Sequence, residues 1–316
     1  MKQVQSILVG VDFLPNADSP SGLKLTNESH LALLHACSLA QNPNCKLTLC
    51  SVSPNPGWLA SIGTGDRAAQ LLETQAEKRG EALKQLADEL ATRDVSAQTT
   101  LRRGESWTQM IQEANQGTYD LVVVGSKPKS SDWNPFPLGS TATRLARQCQ
   151  KLLWVVRSSM EQQPPTILVA DSLSGEKCAL LDEAVEIAQL LESRLLVAHV
   201  VEPQLESHLI RHGLSEPDIQ AMRSEAIEAA ESKLNEKLSK SDARTLDQGV
   251  QVVAKHGHPE SILSELAEEH QCELMIIGKH HRTGLGLMLL GHTVEQIIPS
   301  VSCSLLILPL AETSEN

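Results

Sequence analysis

Short apolar runs alternate with longer stretches of helical period along this chain. The runs predict strands near residues 4–11, 46–52, 96–102, 120–125 and 152–157, and the periodicity predicts helices near 27–41, 66–91, 106–116 and 139–149. The same alternation then starts again, with strands near 166–170, 195–201, 249–254, 273–278 and 304–309. Val, Ile and Leu runs that are apolar on both faces predict parallel sheets covered by helices on both sides. Each half therefore reads as a doubly wound α/β domain built on a five-stranded parallel sheet.

The two halves share residues as well as rhythm. Ile7-Leu-Val-Gly-Val-Asp12 is echoed by Ile167-Leu-Val-Ala-Asp171, and Leu121-Val-Val-Val-Gly125 by Leu274-Met-Ile-Ile-Gly278. Arg103-Gly104 and His256-Gly257 each precede a helical pattern, and Leu152–Val156 and Leu305–Leu308 close the two halves. A repeat in this order predicts a duplicated domain. The expected boundaries are 1–158 for the first domain, 159–165 for a polar, Pro-containing linker, 166–310 for the second domain and 311–316 for a tail.

A length of 316 residues fits two domains of ordinary size. Aromatics make up 2% of the chain, too few for rows of base-stacking rings, and the net charge of −12 argues against a broad nucleic-acid surface. The acidity is uneven. Residues 1–160 hold 16 basic and 14 acidic side chains, whereas 161–316 hold 11 and 25, so the first half remains compatible with an anionic ligand. Seven cysteines without a Cys-x-x-Cys pair read as reduced thiols. The short apolar run at the N-terminus meets Asp12 too early for a signal peptide, and no run is long enough to cross a bilayer, so a cytoplasmic protein without membrane contact is expected.

In sheets of this kind ligands sit beyond the carboxyl ends of the strands, where strand order reverses. In the first half those loops carry Asp12, Arg102-Arg-Gly104, Gly125-Ser-Lys127 and Gly139-Ser140-Thr141. Gly139-Ser140-Thr141 opens a helix, and free amides, two hydroxyls and a glycine for close approach suit a phosphate. Arg102, Arg103, Lys127 and Lys129 are candidate cations for the same rim, although Ser140 also reads as a plain N-cap with the cations solvated.

Over nearly its whole length the chain resembles the universal stress protein family in its tandem two-domain form. Nucleotide-binding members carry Gly-x-x-Gly, nine residues, then Gly-Ser/Thr. Here the second half has Gly278-Lys-His-His281, nine residues and Gly291-His292-Thr293, so histidines replace the middle Gly and the Ser/Thr. The first half has Gly125-Ser-Lys-Pro128, ten residues and Gly139-Ser140, keeping the final pair but losing the middle Gly to a proline. The resemblance implies an adenine nucleotide alpha hydrolase-like fold, and ATP or AMP as ligand, with the first domain favoured. It implies Asp12, Gly104, Gly125, Lys127, Gly139, Ser140 and Thr141 as its site residues, with Asp171, Gly278, His281, Gly291 and Thr293 in the second half. It also implies pairing of the two domains through their last strands, and leaves room for a homodimer.

Alternatives stay open at several residues. Asp12 reads as a ribose acceptor or as a loop-start Asp bonded to its own backbone. Trp133 and Phe136 read as a cover for adenine or as pins for their proline-rich loop. His256, His258, His280, His281 and His292 read as a protonation-sensitive anion site, a metal site or solvated loop residues. No P-loop and no Gly-x-Ser-x-Gly elbow occurs, and the Glu, Ala and Lys-rich segment 224–240 reads as a surface helix. The expectation is a ligand-responsive stress or signalling module rather than an enzyme, with a ligand-free interaction scaffold as the alternative.

Overall fold

A computed structural model describes residues 4–40, 45–55, 65–126, 139–157, 164–173, 178–203, 206–280 and 292–310. The chain divides into two compact units, Lys2–Arg157 and Ser158–Asn316.

In the first unit the elements follow as β1 (Ser6–Gly10), β2 (Phe13–Pro15), β3 (Leu23–Leu25), α1 (Asn27–Leu39), β4 (Lys46–Ser53), α2 (Gly65–Ala91), β5 (Ala97–Arg103), α3 (Ser106–Gln116), β6 (Leu121–Gly125), α4 (Ser140–Gln148) and β7 (Leu152–Val156). Five of these strands form a parallel sheet in the order β7-β6-β1-β4-β5. The strands are buried on both faces, which is why they read as continuous apolar runs: Ile7, Leu8 and Val9 of β1 are fully enclosed. Full burial of each such side chain contributes roughly 1.5–3 kcal/mol. β2 and β3 form a separate antiparallel hairpin in the long connection after Asp12.

The second unit repeats this plan with β8 (Thr166–Ala170), α5 (Ala179–Leu190), β9 (Arg194–Val201), α6 (Glu206–Arg211), α7 (Glu216–Ser239), β10 (Val250–His256), α8 (Pro259–Glu269), β11 (Leu274–His280), α9 (His292–Ser300) and β12 (Ser304–Leu310). Its sheet runs β10-β9-β8-β11-β12, again all parallel. Strand order reverses between β1 and β6 in one unit and between β8 and β11 in the other, so each unit has one switch point.

The helix over 216–239 is less of a surface element than its composition suggests. A capping box between Ser215 and Asp218 starts it, Ile219, Ala230, Leu234 and Leu238 form a buried seam, and the i,i+4 pair Glu236–Lys240 lies on the wet side.

Candidate functional site

At the first switch point Asp12 follows β1 directly. Its amide donates to Ser29 Oγ at 2.8 Å, and Ser29 is held in the first turn of α1 by the N-cap Thr26, whose Oγ1 accepts from the Ser29 amide at 3.1 Å. The Asp12 carboxylate accepts from the Phe13 amide at 2.9 Å and from Arg79 of α2 at 2.6 Å, and remains 67% exposed. Both sequence readings of Asp12 thus keep a basis: it bonds its local backbone, and it still faces solvent at the crevice. Gly125 ends β6 beneath α1, where a Cβ would collide with the carbonyl of Glu28, so only glycine fits.

Gly139 N-caps α4 at φ −53° and ψ 151°, brings no side chain of its own to the first-turn amides, and has open space where a Cβ would stand. Ser140 is exposed and Thr141 half-exposed. Gly104 adopts φ +140°, as its counterpart Gly257 adopts +151°, and their amides donate to Ser53 and Val201 at 2.9 and 3.0 Å. These glycines turn the chain from strand into helix, a backbone role that either ligand reading would share.

Two of the four expected rim cations, Arg102 and Arg103, are paired with carboxylates. Arg102 donates through Nε to Glu113 at 2.6 Å, and Arg103 forms a bidentate pair with Glu73 at 2.5 Å. Arg103 holds the Glu73 carboxyl below the usual carboxylate range. Arg144 of α4 donates to Glu105 at 2.6 Å and lies 4.7 Å over the Trp107 ring. Helices α2 and α3 therefore supply counter-charges to Arg102 and Arg103, which the sequence offered as candidate cations for this rim or as solvated side chains. Lys127, Pro128, Lys129, Trp133 and Phe136 lie outside the described residues. Two buried hydroxyls at the carboxyl end of the sheet, Ser53 Oγ and Ser126 Oγ, have no hydrogen-bond partner among the described residues.

In the second unit Asp171 stands one register position earlier than Asp12. Ala170 pairs with Ala198 as Gly10 pairs with Cys50, and the next amide donates across in both cases, from Asp171 to Ala198 and from Val11 to Cys50. Asp171 therefore occupies the place of buried Val11, since a shift of one residue exchanges the faces of a strand. Its carboxylate is buried, accepts from the Leu173 amide at 2.6 Å and pairs with Lys237 of α7 at 3.0 Å. His199 Nδ1 lies 2.8 Å from the Asp171 carbonyl. Neither Arg79 nor Lys237 was visible as a site residue in the sequence, where each is one charge among many on a long helix.

A cavity of about 220 Å³ opens at this second switch point, bounded by the ends of β8, β9 and β11 and by α5, α8 and α9, with Gly278 in its wall. His256 is turned to Glu206, 2.6 Å away, which also receives a bidentate pair from Arg223. Arg223 is the main cause that holds the Glu206 carboxyl below the usual range. His258 is exposed. His281 and Gly291 lie outside the described residues, as do the side chains of His280, His292 and Thr293. Among the described residues no group of three or more His, Cys, Asp or Glu is placed to hold a metal ion.

All seven cysteines are free thiols, and burial pushes Cys50 and Cys272 up to about 12, away from nucleophilic chemistry. Among the described residues no helix is long and apolar enough to cross a membrane.

Two doubly wound units in the same strand order, each with a glycine near the carboxyl end of its fourth strand at the switch point, define the class. The model of the universal stress protein family matches residues 4–157 and again 165–309, and the chain belongs to that family, with two such domains in tandem. It is 25% identical over 309 residues to the universal stress protein E homolog of Haemophilus influenzae, covering 90% of this chain and 94% of that one. Among solved structures, a universal stress protein from Archaeoglobus fulgidus is similar at TM-score 0.61 and 17% identity, covering 97% of this chain and 99% of its own. A functionally unknown protein from Pseudomonas aeruginosa is similar at TM-score 0.60 and 20% identity, covering 98% of this chain and 93% of its own.

Proposed function

We propose that this chain is a non-catalytic, cytoplasmic stress-response module that holds an adenine nucleotide, ATP or AMP, at the switch point of its first unit. The observation that carries this reading is the start of α4. Its N-cap Gly139 brings no side chain to the first-turn amides and leaves room for close approach, and Ser140 is exposed, a combination suited to an external phosphate. Asp12 follows the adjacent strand β1 with an exposed carboxylate that can accept a ribose hydroxyl.

The alternative, a ligand-free interaction scaffold, draws support from the pairing of Arg102 and Arg103 with carboxylates, which removes two cations from the rim. Equilibrium binding of ATP and AMP to the full chain separates the two. Saturable binding supports the nucleotide module, and a flat response at millimolar ligand supports the scaffold. Phosphate release from bound ATP at a sustained rate would instead make the protein an enzyme.

A further inference from the structure

The cavity of the second unit has a different chemistry from the crevice of the first. Its walls are aliphatic, with Leu180 of α5, Leu263 of α8, Ile277 of β11, Val294 and Ile297 of α9, and Leu310 of β12. In the first unit a longer side chain stands at the corresponding helix position. Met110 of α3 stands where Leu263 stands in α8, counted from the turn glycines 104 and 257, and its thioether reaches β1 so closely that a Cβ on Gly10 would lie 3.1 Å from its Cε. In the second unit the shorter Leu263 lines the cavity together with Ala170 of β8, and about 220 Å³ is open.

Among the described residues, the polar groups at the rim suit a neutral donor rather than a phosphate. The Asp171 carboxylate is engaged by Lys237 and the Leu173 amide, and Lys237 is engaged in return. His199 Nδ1 donates to the Asp171 carbonyl, because a carbonyl oxygen only accepts, and in that tautomer Nε2 is an acceptor. Glu202 also borders the cavity, and residues 161–316 carry 25 acidic against 11 basic side chains. An ionised head group would lose its hydration against these aliphatic walls.

We propose that this cavity binds a small uncharged aliphatic molecule bearing one hydroxyl or similar donor, with the hydrocarbon among the leucine and isoleucine walls and the donor at the His199 rim. The proposal is independent of nucleotide binding in the first unit.

Methyl-detected NMR of the full chain titrated with 1-butanol, 1-hexanol and 1-octanol tests it. Saturable shifts should appear at Leu180, Leu263 and Val294, and each added methylene should tighten binding about fourfold until the cavity is full. Octanoate should bind at least tenfold more weakly than 1-octanol. Ala170→Leu and Val294→Phe, which fill the cavity, should each weaken 1-octanol at least tenfold. If the filled variants do not fold, the wild-type chain-length series decides alone. No saturable shift, no dependence on chain length, equal binding of octanoate, or displacement of 1-octanol by AMP would overturn the proposal.

Discussion

Lys237 Nζ lies 3.0 Å from Asp171 Oδ1 with both side chains nearly enclosed, at 11% and 6% exposure. The first unit places a similar pair, Arg79 with Asp12 at 2.6 Å, but there the carboxylate is 67% exposed. Removing one partner of a buried pair leaves an uncompensated charge, at a cost of about 3–5 kcal/mol. An exposed pair contributes about 0–1 kcal/mol. Urea unfolding should therefore show a large loss for Lys237→Met and a small one for Arg79→Met. Equal losses would mean that the two switch points are stabilised alike.

Gly104 and Gly257 sit at φ +140° and +151°, and a Cβ on Gly257 would meet Ile262 at 2.8 Å. Alanine at either position should cost about 1–3 kcal/mol, read as a lower unfolding midpoint with unchanged denaturant slope. Gly139 has φ −53° and open space around it, so alanine there should cost only about 1 kcal/mol or less, as a poorer N-cap.

Tyr119 is the chain's single tyrosine, and burial pushes its hydroxyl up to about 12, with help from the Glu113 carboxylate that accepts its hydrogen bond at 2.8 Å. The folded state thus keeps the proton more tightly than the unfolded chain, in which tyrosine titrates near about 10. The stabilisation is complete below that unfolded value and is lost as pH rises through the folded one. An ultraviolet titration should show one tyrosinate appearing near pH 12, and Glu113→Gln should bring it earlier. Titration at the ordinary tyrosine value in the folded protein would contradict this.

The sheet was legible in the sequence because buried parallel strands are apolar on both faces, as Leu121–Gly125 and Leu274–Met-Ile-Ile show, and their ends fell within a residue or two. The hairpin of Phe13–Pro15 and Leu23–Leu25 was not, since three-residue strands carry too little alternation to register. Matching Asp171 to Asp12 by residue type hid a one-position shift that only strand pairing reveals. The partners of Arg102, Arg103 and Asp171 lie 11, 30 and 66 residues away in sequence, on helices whose rotation the sequence pattern does not specify. The glycines of the candidate site were legible, and the charges that surround them were not.

Gly139→Asp tests the central claim most directly, because it separates capping from ligand binding. An aspartate at this N-cap satisfies first-turn amides and should raise stability by about 0.5 kcal/mol, while its charge occupies the place proposed for phosphate. Equilibrium ATP binding to the wild-type chain and to this variant is the measurement. The account predicts saturable binding to the wild type and at least a tenfold loss in a variant that is no less stable. Equal affinity in both, or no binding to the wild type at millimolar ATP, would contradict it.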